Sequence, residues 1–249
     1  MTLDAPAVGW LLWGTLLLRP YVFVFLLAYL AAAARDLGLG RALGFLLWSG
    51  GVAFCAEYAS TRVGIPFGLY HYTGATAPRE LYLSNVPVFD PLSFVFLSYA
   101  SFCVARRTVG GERGPRSVLL AGVVMMLLDV VIDPLAVRGD RWFLGRIFTY
   151  PAGGVYFGVP LSNFAGWALV GWIIIGGYVW ATRGGAPGSR GPGGSAGPGV
   201  ALYYGVLVFN LALTLWIGEW GLLSAGILVH VALYLLLYAV SAGRSGGGS

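Results

Sequence analysis

Residues 117–137 read SVLLAGVVMMLLDVVIDPLAV, a run whose only charges are Asp129 and Asp133. An apolar stretch of about 17–25 residues matches the roughly 30 Å hydrocarbon core of a bilayer. It therefore reads as a membrane-spanning helix. Two aspartates four residues apart lie on one face of such a helix. Ionisable groups at that depth cost on the order of 2.5–3.5 kcal/mol even on insertion scales, so they mark function by default. One line of sequence thus raises both the fold and the site.

Similar runs fall at 9–34, 42–61, 88–105, 159–181, 200–217 and 221–240. The chain is 58% hydrophobic and only 10% charged, against about 25% charged in soluble domains. Too little polar surface remains to face water, and the mean hydropathy of +0.79 agrees. The expectation is an all-α integral membrane protein: one transmembrane domain over 1–249, a bundle of about seven transmembrane helices. The first run is overlong and broken at Arg19-Pro20. Either it kinks there, or a short interfacial helix precedes a span that starts at Pro20, where proline suits the first helical turn.

The net charge of +5 comes from arginine, since no lysine occurs. Without lysine a retinal Schiff base is impossible, which excludes a rhodopsin. Most arginines lie between apolar runs, so the basic balance speaks for topology and lipid headgroups rather than nucleic acid. Arg35, Arg41, Arg106, Arg107, Arg113, Arg116, Arg183, Arg190 and Arg244 fall on one side, against Arg62, Arg79, Arg138, Arg141 and Arg146. The positive-inside rule then gives a multi-pass protein of the cell membrane, N-terminus outside and C-terminus cytoplasmic. The start lacks the basic region of a cleavable signal. Cys55 and Cys103 read as packing residues.

Residues 183–199, RGGAPGSRGPGGSAGPG, form a flexible Gly/Pro-rich loop. The two outer loops, 63–87 and 138–158, are instead rich in aromatics, including Phe67, Tyr70, Tyr72, Tyr82, Trp142, Tyr150, Tyr156 and Phe157. They are expected to fold back as a structured cap over the helix ends.

Counting depth brings the acids together. Glu57 lies roughly 24 Å along its helix from Arg41, and Asp133 roughly 24 Å from Ser117, with Asp129 at roughly 18 Å. Both helices run in the same direction, so Glu57 and Asp133 share a level in the outer half. Asn163, Glu219 and Arg19 approach it from other runs. The alternative is structural: Asp129 and Asp133 paired with Arg19, Arg62 or Arg138, as intramembrane charges usually are. Pro134 can also end the helix and leave Asp133 beside a wet loop. His71 reads as an interfacial loop residue or a ligand-binding one, His230 as a group bonded across the bundle, and Glu219 as an interfacial acid. Asp-x-x-x-Asp also occurs in magnesium diphosphate enzymes, but the further Asp and Asn residues and a basic loop are missing, so no metal is expected.

Glu57 with GIPFGLYHYT (64–73), NVPVFDPLSF (85–94), DVVIDP (129–134) and YFGVPLSNFAGW (156–167) resemble the carotenoid 1,2-hydratases, a family that includes the bisanhydrobacterioruberin hydratases. The resemblance covers roughly residues 15–240, and YFGVP-x-x-NF-x-GW is its most specific part. It implies a cofactor-independent hydro-lyase that adds water to the terminal double bond of an acyclic carotenoid lying in the bilayer among membrane lipid. The residues suit that chemistry. A carboxyl group in an apolar setting keeps its proton and can act as general acid. A second, ionised carboxylate can stabilise the cation and take a proton from water. Glu57, Asp129 and Asp133 are the expected catalytic set. Tyr70, His71, Tyr72, Phe157, Asn163 and Trp167 are the expected substrate-binding set, with aromatic faces adding cation–π stabilisation. The rivals are a carotenoid cyclase that uses the same protonation, and a transporter or carotenoid-binding membrane protein without chemistry.

Overall fold

The computed structural model describes residues 5–110, 113–183 and 195–246. Eight helices follow one another: α1 (Ala5–Leu18), α2 (Pro20–Leu37), α3 (Leu39–Val63), α4 (Asp90–Thr108), α5 (Pro115–Ala136), α6 (Leu161–Ala181), α7 (Gly197–Trp216) and α8 (Trp220–Gly246). Proline stands in the first turn of α2, α4, α5 and α7, where its missing N–H and fixed φ cost nothing. The overlong first run divides at Arg19, which leaves α1 as a separate short helix ahead of the span beginning at Pro20.

Six helices, α2, α3 and α5 to α8, are long and apolar enough to cross a membrane. The seventh, α4, has 19 residues, enough for about 28 Å. Its composition is more polar because it sees little lipid. It packs against α2, α3, α5, α6, α7 and α8, and Ser98, Tyr99, Ser101 and Cys103 on it are fully buried. The outer helices instead expose apolar side chains such as Leu47, Val208 and Leu228, the surface that a bilayer would cover.

At one end of the bundle the two aromatic loops form a cap. Strand β1 (His71–Tyr72) pairs antiparallel with β4 (Phe148–Thr149), which ties one loop to the other. A hairpin of β2 (Tyr82–Leu83) and β3 (Val86–Pro87) completes it. Arg138 and Arg141 reach Glu219 in the turn between α7 and α8, so that turn joins the same end. At the opposite end Asp36 is buried against Arg106, with Tyr99 and Arg113 beside it.

Of the loop expected at 183–199, residues 184–194 lie outside the described residues, while 197–199 already belong to α7. Cys55 is exposed on the bundle surface rather than packed, whereas Cys103 is buried. His230 does not bond across the bundle: its Nδ1 meets the Gly226 carbonyl of its own helix at 3.0 Å. Glu219 is held by two arginines rather than by water alone.

Candidate active site

The site begins where α5 and α6 mesh. Gly122 and Gly171 let these helices approach closely, since a Cβ on Gly171 would stand 3.1 Å from the Gly122 Cα. Towards the cap, two pairs spaced four apart then face each other: Asp129 and Asp133 on α5, Asn163 and Trp167 on α6. The Asn163 amide nitrogen donates to Asp129 Oδ2 at 2.6 Å and to Asp133 Oδ2 at 2.7 Å. The Trp167 indole N–H lies 3.4 Å from the same Asp133 oxygen. Trp167 is itself fixed by stacking on Phe94, with ring centroids 4.3 Å apart. Pro134 does not end α5, which continues to Ala136.

Glu57 approaches from α3, which like α5 packs on both α4 and α6. It is buried, and the Tyr72 hydroxyl donates to its Oε2 at 2.9 Å. Strand geometry explains how a loop residue gets there. Successive strand side chains point to opposite faces, so Tyr70 and Tyr72 turn inward while His71 turns out. Tyr70, Tyr72, Phe148 and Tyr150 then pack edge-on or tilted, with centroids 5.4–5.8 Å apart. Burial, and next the nearby Glu57 charge, push the Tyr70 and Tyr72 hydroxyls well above the usual phenol range. Burial with the Asp133 and Asp129 charges does the same to Tyr150. All three remain O–H donors throughout neutral pH.

A third set of charges sits where α1 gives way to α2. Arg19 is fully buried, with its Nε and Nη2 on the two oxygens of Glu80 at 2.8 and 3.0 Å and its Nη1 on Asp90. Thr76 also bonds Glu80. Such a planar fork on a carboxylate is the strong form of the ion pair. Arg19, Arg62 and Arg138 are thereby accounted for without Asp129 or Asp133. Arg62 bonds Asn85 and Ser84, and Arg138 bonds Glu219 and the Phe157 carbonyl.

Part of each set lines one cavity of about 130 Å³. Glu57, Asp90, Asp133, Arg19, Asn163 and the cap tyrosines make its polar part. Phe25, Phe96, Leu97, Val206 and Phe209 make an apolar part between α2, α4 and α7. The cavity therefore suits a hydrocarbon ligand whose end meets acids. Among the described residues, no three His, Cys, Asp or Glu side chains are grouped to hold a metal ion.

Residues 9–233 match the family described as carotenoid biosynthesis protein. The chain belongs to that family. It is also 31% identical over 121 residues to the bisanhydrobacterioruberin hydratase of Haloarcula japonica. That match covers 48% of this chain and 38% of the relative's length. No solved structure matches.

In this carotenoid biosynthesis protein, then, the cavity gathers Glu57, Asp133, Tyr70, Tyr72, Asn163 and Trp167 from the residues singled out in the sequence. Asp129 is fully buried behind Asp133 and reaches the cavity only through Asn163. His71 is exposed, paired in its strand with Thr149. Phe157 lies beneath Arg138 and against Tyr156, away from the cavity. Sequence reasoning passed over Asp90 and Glu80. Asp90 carried a visible signal, an acid directly before Pro91 at the head of a buried helix; Glu80 looked like any loop acid.

Proposed function

We propose that the chain is a carotenoid hydratase, acting on the terminal double bond of an acyclic polyene within the bilayer. The observation that carries this reading is the cavity itself: acids from three helices at one end, apolar and aromatic walls at the other. Family membership and the partial likeness to a hydratase support it.

The chemistry runs as follows. Asp133 gives a proton to the less substituted carbon of the terminal alkene, and the tertiary cation forms at its neighbour. The faces of Trp167, Phe94 and the cap tyrosines stabilise that charge. Water oriented on the Glu57–Tyr72 side attacks the cation, a C–O bond forms, and the released proton passes to a carboxylate on that side. Asp129 and Asn163 hold Asp133 in place. The sum is one water added per end group. In this reading the cap faces outward and the termini follow the arginine distribution.

The test is expression in cells that accumulate lycopene or another acyclic carotenoid, followed by pigment analysis. Hydroxylated products are expected from the wild type and not from Asp133→Asn or Glu57→Gln. A product of unchanged mass with a new ring would make the chain a cyclase. Unaltered pigment with purified, folded protein would leave binding or transport.

A further inference from the structure

Arg19, Glu80 and Asp90 form a buried unit of one cation and two anions, and only part of it faces the cavity. Glu80 has no exposed side-chain surface and does not line the cavity, whereas Asp90 lines it and keeps 19% of its side chain open. Glu57, by comparison, is 5% exposed and already accepts the Tyr72 hydroxyl. Glu80 takes two of the arginine's nitrogens and Asp90 the third, so one cation faces two carboxylates and one negative charge is left in excess. The unit therefore shows the cavity Asp90 as its one carboxylate, beside Arg19, with a negative charge in excess over the three groups.

Such a carboxylate can lose its charge without harm. A buried ion pair broken on one side normally leaves an uncompensated charge, at a cost of about 3–5 kcal/mol. Here Arg19 keeps Glu80 when Asp90 takes up a proton. The three residues come from the α1–α2 break, the cap loop and the head of α4, 61 and 71 residues apart, and converge at one point.

We propose that Asp90 is a further catalytic residue, the fixed counter-charge for the tertiary cation and the base that deprotonates the attacking water, with Arg19 and Glu80 as its positioning residues. This rests on the hydratase reading. In the step, the water oxygen bonds to the cationic carbon as one of its O–H bonds breaks, and that proton moves to Asp90. The acid has already lost its own proton to the alkene carbon. Transfer of a proton from Asp90 back to the acid through cavity water closes the cycle, with one water consumed and no other reactant.

The two half-reactions can be read separately. Purified protein in nanodiscs is given lycopene in deuterated buffer, and both hydrated product and deuterium in recovered lycopene are measured. A cation that is formed but not captured returns to alkene by losing a proton, which leaves label behind. Asp90→Asn is expected to lower hydration at least about 100-fold, the scale of a lost general base. It should also raise the ratio of exchange to hydration by at least about 10-fold. Glu80→Gln, which touches no cavity surface, should shift the ratio the same way by a smaller factor. Asp133→Asn should abolish exchange and hydration together. The ratio is independent of how much protein is folded, so a merely structural effect leaves it unmoved. An unchanged ratio in Asp90→Asn, whatever the yield, overturns the assignment while the hydratase reading stands. No hydrated product from the wild type would instead overturn the reading beneath it.

Discussion

Replacing Asn163 by leucine removes one amide that serves two carboxyl groups and keeps the branching and heavy-atom count of the side chain. Both bonds are short, 2.6 and 2.7 Å; with Asp133 carrying the proton it gives to the alkene, the bond to charged Asp129 contributes about 1.5–3 kcal/mol and the bond to neutral Asp133 about 0.5–1.5 kcal/mol. The loss is not fully additive because one nitrogen makes both, so the expected destabilisation is about 2–4 kcal/mol. Trp167→Phe is the matched control. Its N–H contact with Asp133 is long, at 3.4 Å, and the ring keeps its stacking on Phe94. With the small volume lost at this buried site, it should cost about 1–2 kcal/mol. The assay is reversible unfolding of the purified protein in bicelles titrated with dodecyl sulfate, followed by tryptophan fluorescence. In an Asp129→Asn background, Asn163→Leu should cost at least about 1 kcal/mol less, because the charged acceptor has then been replaced by a neutral one. If Asn163→Leu unfolds within about 1 kcal/mol of wild type, or costs no more than Trp167→Phe, the amide does not hold the two acids as described.

Arg19→Met leaves Glu80 and Asp90 buried without their cation. It should destabilise by about 3–5 kcal/mol, with Glu80→Gln in the same background restoring part of the loss in the same unfolding assay. Gly166→Ala drives a Cβ to 2.6 Å from the Pro66 carbonyl oxygen and 2.7 Å from the Phe67 ring. Overpacking of this kind costs about 1–3 kcal/mol, and proteolysis within residues 64–73 should become faster as that segment is displaced. Tyr70, Tyr72 and Tyr150 have hydroxyls raised in the folded state. Above about pH 10 the unfolded chain loses these protons and the folded one keeps them, so stability falls with rising pH there and is unaffected below. Phenolate absorbance at 295 nm should show these three titrating only on unfolding.

The helices were readable because apolar length alone specifies a span, and Pro20, Pro91 and Pro115 mark where spans begin. The pairing of Asp129 and Asp133 with the cavity level of Glu57 followed from rise per residue. What the sequence did not carry was lateral arrangement. Nothing local in Arg19, Glu80 or Asp90 tells that they meet, since their encounter depends on how the cap settles on the bundle. The outward turn of His71 follows from strand alternation once the β1–β4 pairing is known, but a two-residue strand has no pattern of its own. Phe157 was read by its place in a specific motif, while its φ of +49° aims it elsewhere. His230 showed the same ambiguity, since a histidine on a helix can bond its own previous turn as readily as a neighbouring helix.

The position of α4 has a consequence for how the protein is made. A helix encircled by protein has been released from any demand to dissolve in lipid, and its serines and tyrosines reflect that. The cost falls during biogenesis, when α4 leaves the ribosome before α5 to α8 exist. Residues 90–108 alone are a poor stop signal for the insertion machinery. They are expected to stay in the bilayer only in company, with α3 before them and α5, the most apolar of the spans, after them. The protein's most interior helix is thus the one whose insertion depends on its neighbours.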